Sequence, residues 1–392
     1  MRYAPLTQAI SGETVEAWDI HFKATAAKEH DPSVIILSIG DPDFDTPEAV
    51  TNSAIAGLKM GDTHYVEIEG RDKLRDKIAA MHQARSNQSV SKNNVILLAG
   101  AQNALFSTCL CILEAGDEAI VLQPMYVTYE ACIESTGAKL VPVAMDKENA
   151  FRLDKMALEA AITNKTKAIF FATPNNPTGV VLNRDELDFI SKLAIKHDLW
   201  VVSDEVYSNT IFESEHLSIA GFDNMAQRTV TLNSLSKSHA MTGWRVGWAI
   251  GPELLIKHLS NLSLCMLYGL PGFVQQAAYT ALTDSSALAD SELMRTTYER
   301  RRNTLVNCFD KHNNLSCIPP QASMFLMVDV SKTGLNGQKF AEALFDQQGI
   351  AVLPAAAFGE CAIDFIRISY VVGDEELEDA CSRINKFMEQ FS

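Results

Sequence analysis

RTVTLNSLSKSHAMTGWRVGWAIG, residues 228–251, is the stretch on which the reading of this chain turns. TVTLN is rich in β-branched and apolar residues, and VGWAIG is a second run of the same kind, so each reads as a buried strand. Between them Lys237 stands among Ser234, Ser236 and Ser238, with Arg245 eight positions on. Two buried strands have little structural need for a lysine between them. Either Lys237 lies on an ordinary exposed turn, or the chain holds an amine where chemistry happens. In a parallel α/β sheet the carboxyl ends of the strands are where sites are built, and Lys237 follows TVTLN at that end.

Working outward, strand-like and helix-like runs alternate from about residue 94. NVILLAG, EAIVLQP, KLVPVAM, TKAIFFATP and LWVVSDE are further strand candidates, most with helical segments between them. Strands separated by helices predict an α/β fold with a mainly parallel sheet flanked by helices. After residue 285 a long charged helix, SELMRTTYERRRNTLVNCF, leads to strands FLMVDV and FIRISYVV and to a closing helix from Asp374. This reads as a second, smaller α+β domain, completed by the N-terminal segment.

The chain has 392 residues, 47% of them hydrophobic and 21% charged, which suits a soluble protein with large cores. No apolar run approaches the ~18 residues of a membrane span. The opening MRYAPLTQAI lacks the basic-then-apolar layout of a secretory signal. Eight cysteines without a CxxC pair point to buried reduced thiols and a cytoplasmic setting, and no metal site is expected. A formal charge of −16 argues against a nucleic-acid partner.

Other candidate site residues fall at the ends of these strands. FATPNNPTGVVL (171–182) closes a strand with two prolines around Asn175 and Asn176, either a stiff display of amides or simply a well-formed turn. DLWVVSDEVYSN (198–209) runs an apolar strand into Asp204 and Glu205, with Tyr207 beyond. An acid there needs a partner, such as a protonated heterocyclic nitrogen, unless it merely caps the next turn. LLAGAQNAL (97–105) sets Gly100, Ala101 and Gln102 at a helix start, where backbone amides suit a phosphate. Neither GxGxxG nor a P-loop lysine is present.

Taken together, SLSKSHAMTGWRVGW, PNNPTG, SDEVY, GAQNAL and HYVEIEGRDKLR, in that family's order and approximate spacing, resemble the class I pyridoxal-phosphate-dependent aminotransferases of the aspartate aminotransferase fold. The resemblance runs from SIGDPDF near residue 38 to FIRIS near 365, and the wording of MRYAPLTQAI…AWDIHF and LNSLSKSHAMTGWRVGW is further similar to arginine–pyruvate transaminases. It implies a large domain over 46–284 that binds pyridoxal 5'-phosphate, and a small domain from 1–45 and 285–392. It also implies that Lys237 carries the cofactor covalently and moves a proton, that Asp204 pairs with the pyridine nitrogen, and that Asn176 and Tyr207 bond the phenolic oxygen. Ser234, Ser236, Arg245 and the amides of Ala101 and Gln102 would hold the phosphate, and Tyr126 would stack on the ring. Arg367 would grip the substrate α-carboxylate beside Gly40, and Tyr65 would reach a neighbouring subunit's site in a homodimer.

One departure is the stretch Cys265–Pro271, where many relatives have Thr-Ser-Asn; Tyr268 is then expected near the partner's phosphate or the substrate mouth. Trp18 is a second candidate wall of the entrance, or a packing residue between domains. Glu67 and Glu69 could meet a cationic side chain, or are surface acids. The resemblance implies ping-pong transfer of nitrogen from an L-amino acid, with L-arginine as first choice, to a 2-oxo acid such as pyruvate. Aspartate or aromatic transamination and a carbon–sulfur β-lyase on the same fold are the alternatives. A cofactor-sensing regulator would need a basic DNA-binding segment for which about 40 residues before the core give no room.

Overall fold

The computed structural model describes residues 3, 6–10 and 18–391. Part of the 1–45 segment assigned above to the smaller domain lies outside the described residues. In chain order the strands are β1 (Ile35–Ile36), β2 (Val95–Leu98), β3 (Glu118–Gln123), β4 (Lys139–Ala144), β5 (Thr166–Ala172) and β6 (Trp200–Asp204). They continue as β7 (Thr229–Ser234), β8 (Gly247–Ile250), β9 (Ser316–Ile318), β10 (Phe325–Asp329), β11 (Ile350–Ala351), β12 (Leu353–Pro354) and β13 (Phe365–Ser369).

Seven of these form the main sheet, in the order β2-β8-β7-β6-β5-β3-β4. From β7 to β4 every pairing is parallel, which is why β5, β6 and β7 read as nearly unbroken apolar runs: helices cover both of their faces. β4 is one edge, and it alone in this sheet carries a proline, Pro142, where a missing ladder donor is tolerated. β8 runs against both β7 and β2, with Ser234 opposite Gly247. The stretch that opened the sequence reading is thus an antiparallel pair whose connection, residues 235–246, bears Lys237. This short return explains the one reversed strand in a mainly parallel sheet.

A four-stranded antiparallel sheet, β12-β13-β10-β9, stands apart from the first, and β1 pairs with β11 in parallel. Its core takes Phe325, Leu326, Val328, Ile366 and Ile368 from the sheet. Ile20 and Ala24 of the helix Asp19–Lys28 and Leu377, Ile384 and Phe387 of the helix Asp374–Met388 complete it. The charged helix begins at Ser285, six residues before the sequence suggested, because the Asp284 carboxylate accepts the amides of Ser286 and Ala287 as an N-cap.

The segment 38–44 joins both sheets at the site. Leu37 donates to Ala351 O, and Ser369 donates to Leu37 O. The buried Arg301 on the helix Ser285–Phe309 holds Asp43 through two bonds of 2.9 Å from one nitrogen. Gly40 has no room for a side chain: a Cβ there would lie 2.1 Å from the Phe325 ring. Of the eight cysteines, all free, Cys109, Cys132 and Cys308 are buried while Cys265 is exposed, so burial is less general than the sequence suggested. Among the described residues no helix is long and apolar enough to cross a membrane.

Candidate active site

β5, β6 and β7 end side by side; the loops after β5 and β7 supply Asn176 and Lys237, and the last residue of β6 supplies Asp204, to one cavity of about 400 Å³. Ala101 and Gln102, at the start of the helix Gly100–Ile112, line it from the next connection, and Tyr126 follows β3. Arg367 of β13 and Phe325 of β10 close it from the smaller sheet. Tyr207, Ser234, Ser236, Arg245, Gly40 and Trp18 also line it. The residues that the resemblance places at the cofactor and substrate therefore line one cavity, except two, and Glu67 and Glu69 lie outside it as well. Tyr65 and Tyr268 lie outside this cavity, 84% and 50% exposed, with their rings 4.7 Å apart on the surface.

Lys237 Nζ donates to the Gly40 carbonyl at 2.6 Å. Burial lowers its pKa to about 8; Asp41 opposes the shift while Arg367 and Arg245 add to it. The amine is therefore far closer to neutrality at physiological pH than a surface lysine, as a nucleophile requires. Across the cavity Asp204 is pushed up to about 6 by burial, against the pull of two donors. The Val206 amide donates to Oδ1 at 3.2 Å and the Tyr129 hydroxyl to Oδ2 at 3.0 Å. The acid thus caps its own turn and keeps a buried partner as well. Glu205 faces elsewhere: burial would raise its carboxyl, yet His216 and Ser218 hold it low.

Arg367 is only 3% exposed, and the loss of water lowers its pKa to about 10. Its Nη1 donates to Asn176 Oδ1 at 3.0 Å and its Nη2 to Ser38 O at 2.8 Å, while its guanidinium lies 4.0 Å from the Phe325 ring centre. Nε is buried with no partner among the described residues. Asn176 owes its place to its neighbour: Asn175 donates to Pro124 O and accepts from the Thr178 amide and hydroxyl, which fixes the loop. Burial raises the phenols of Tyr207 and Tyr126, so both are neutral hydrogen-bond donors.

At the other end Arg245 sits in the left-handed region, φ 53°, and among the described residues gives its nitrogens only to the carbonyls of Thr242 and Ala99. The first-turn amides of the helix Gly100–Ile112 have no partners within the helix. Gly247 keeps this corner open, since a Cβ there would fall 2.6 Å from the Ala101 nitrogen. Ser234 and Ser236 are buried beside it. These are donors and a cation without a matching anion, as a phosphate needs. Lys237 and Asp204 lie in the same cavity, and so this donor set fits pyridoxal 5'-phosphate along its whole length. Among the described residues no cluster suits a metal ion.

Sequence reasoning missed Tyr129 and Ser38. Tyr129 is fully buried, three residues after Tyr126 in PMYVTYE, and that i, i+3 spacing at a helix start is a signal that could have found it. Ser38 acts through its carbonyl, which leaves no residue-type signal at all.

The sheet order, the lysine after β7, the acid at the end of β6 and the buried arginine define a pyridoxal 5'-phosphate-dependent enzyme of fold type I. The chain belongs to the family described as aminotransferase class I and II, which it matches over residues 32–384. It is 48% identical to the arginine–pyruvate transaminase of Pseudomonas aeruginosa over 98% of this chain and 97% of that one. Identity to an aspartate aminotransferase of Pyrococcus abyssi is 36%, over 91% and 92%. The solved aspartate aminotransferase of Thermus thermophilus with maleate superposes with a TM-score of 0.93 at 32% identity, covering 99% of this chain and 100% of that one. The protein is a transaminase.

Proposed function

We propose that the chain transfers the amino group of L-arginine to a 2-oxo acid such as pyruvate, in two half-reactions at one site. The observation that carries the transaminase chemistry is the cavity in which a lysine of lowered pKa, an acid and a buried arginine converge. Arginine and pyruvate are favoured by the relative that is 48% identical over nearly the whole chain.

Bound pyridoxal 5'-phosphate supplies an electron sink for the charge left when a proton leaves the donor's Cα. Lys237 is the covalent tether and, once displaced, the base that takes that proton on Nζ and returns it. Asp204 would pair with the ring nitrogen and keep it protonated. Asn176 and Tyr207 would bond the phenolic oxygen, Tyr126 would stack on the ring, and Ser234, Ser236, Arg245, Ala101 and Gln102 would hold the phosphate. Arg367, beside Gly40, clamps the α-carboxylate of donor and acceptor alike with its fork.

We also assign residues 46–284 to a large domain and 1–45 with 285–392 to a small one, working as a cytoplasmic homodimer. The exposed Tyr65–Tyr268 pair supports a second subunit, each tyrosine reaching the neighbour's site.

The test is the absorption spectrum of the purified protein, alone and with single amino acids but no acceptor. A visible band absent from Lys237→Ala and bleached by L-arginine supports the reading. Bleaching only by another amino acid discards arginine, and repeated turnover that releases ammonia without any acceptor makes the enzyme a lyase.

A further inference from the structure

Two carboxylates line the cavity among the described residues, and only one is engaged. Asp204 has accepted the Tyr129 hydroxyl and the Val206 amide. Asp41 accepts no hydrogen bond and forms no ion pair among the described residues; its field on Lys237 is its one interaction. Nearby acids are all occupied or elsewhere. Arg301 holds Asp43, the Ser260 hydroxyl donates to Glu69, and neither Glu67 nor Glu69 lines this cavity.

Asp41 is also held in place by its neighbours in the chain. Gly40 O is fixed by Lys237, Ser38 O by Arg367, and Asp43 by Arg301. A carboxylate between such anchors loses little freedom on meeting a cation. It lines the cavity with Ile39 and Trp18, and Asp41 and Ile39 are open to solvent. A donor whose carboxylate lies on Arg367 and whose amine lies by Lys237 must send its side chain towards a part of the cavity that neither occupies. The apolar faces of Trp18 and Ile39 suit a methylene stem, and an indole is also a good surface for a guanidinium.

We propose that Asp41 is the specificity residue for a cationic donor side chain, taking the terminal guanidinium or ammonium of the incoming amino acid near the cavity mouth. This rests on the arginine reading above and goes beyond it by naming the group that recognises the charge.

The experiment compares full-length, cofactor-loaded wild type with Asp41→Asn, using L-arginine and its neutral isostere L-citrulline as donors. Asp41→Ser serves as a second variant of different shape, and the visible band reports an intact site in each. An exposed ion pair is worth modest energy, so the arginine-to-citrulline ratio of kcat/KM falls by about fivefold or more in both variants. A smaller change in that ratio overturns the assignment, including a parallel loss on both donors, which would mean that Asp41 acts only through Lys237. Wild type that reacts with neither arginine nor lysine removes the donor reading and this one with it. Wild type that does react, with an unchanged ratio in the variants, overturns Asp41 alone.

Discussion

Arg367 on β13 donates to Asn176 in the loop after β5, at 3.0 Å, so one hydrogen bond joins the two sheets across the cavity. Its second nitrogen meets Ser38 O, and its third is buried and unpartnered. A planar fork held on two sides offers its remaining donors to a carboxylate, which a lysine cannot imitate. Arg367→Lys is expected to lower kcat/KM by about hundredfold, close to 3 kcal/mol, in both half-reactions. Stopped-flow measurements of donor and acceptor half-reactions check this. A loss confined to one of them would show that the two substrates do not share the clamp.

Lys237, with its pKa lowered by burial to about 8, is mostly protonated at pH 7 and mostly neutral above pH 8. Only the neutral amine attacks an aldehyde. Cofactor-free protein should therefore take up pyridoxal 5'-phosphate at a rate that climbs through about pH 8 and levels off above it. The growth of the visible band after mixing measures this. A rate still climbing steeply at pH 10 would mean that the site does not desolvate the amine.

Asp204 is raised from 3.8 to about 6, so the cofactor-free protein retains a proton there that the unfolded chain has already released. Linkage then makes stability fall as pH rises between those values, by about 3 kcal/mol at most for two pKa units. Asp204→Asn is expected to cost activity at least a hundredfold, while the cofactor-free variant melts above wild type at pH 7.5. That advantage should shrink as pH drops from about 6 towards 4, as the folded wild-type carboxyl takes up its proton while the unfolded one is still largely ionised. Scanning calorimetry at these pH values decides it; a variant less stable at pH 7.5 contradicts the buried-charge argument.

Tyr129→Phe removes one of the two donors that hold Asp204, without touching the cavity wall. Loss of one hydrogen bond to a charged acceptor is worth about 1.5–3 kcal/mol. The expected result is a fall in kcat of about tenfold or more, KM little changed, and weaker retention of the cofactor on dialysis. If KM rises while kcat holds, Tyr129 works through substrate binding and the positioning role is wrong.

Much of the main sheet could be read in the sequence because parallel strands covered on both faces must be apolar throughout, and NVILLAG, TKAIFFATP and LWVVSDE are. β1, β11 and β12 could not be read, since two residues carry no periodicity and each pairs with a strand far away in the sequence, β1 with β11 and β12 with β13. The site followed the same division. Lys237, Asp204 and Asn176 stand at strand ends, where a polar residue after an apolar run is conspicuous. The carbonyls of Ser38 and Gly40 contribute through backbone that any residue possesses.

Those two carbonyls sit two residues apart on one stretch of chain, one receiving Arg367 and the other Lys237. The distance between the group that meets a carboxylate and the group that meets an amine is therefore gauged by covalent backbone. Gly40 is pressed against Phe325, so that gauge cannot be lengthened by inserting a side chain. A spacing held by backbone does not change with the substrate's side chain. What varies from donor to donor beyond the α-carbon is left to the mouth of the cavity, where the chain can change a residue without disturbing the measure.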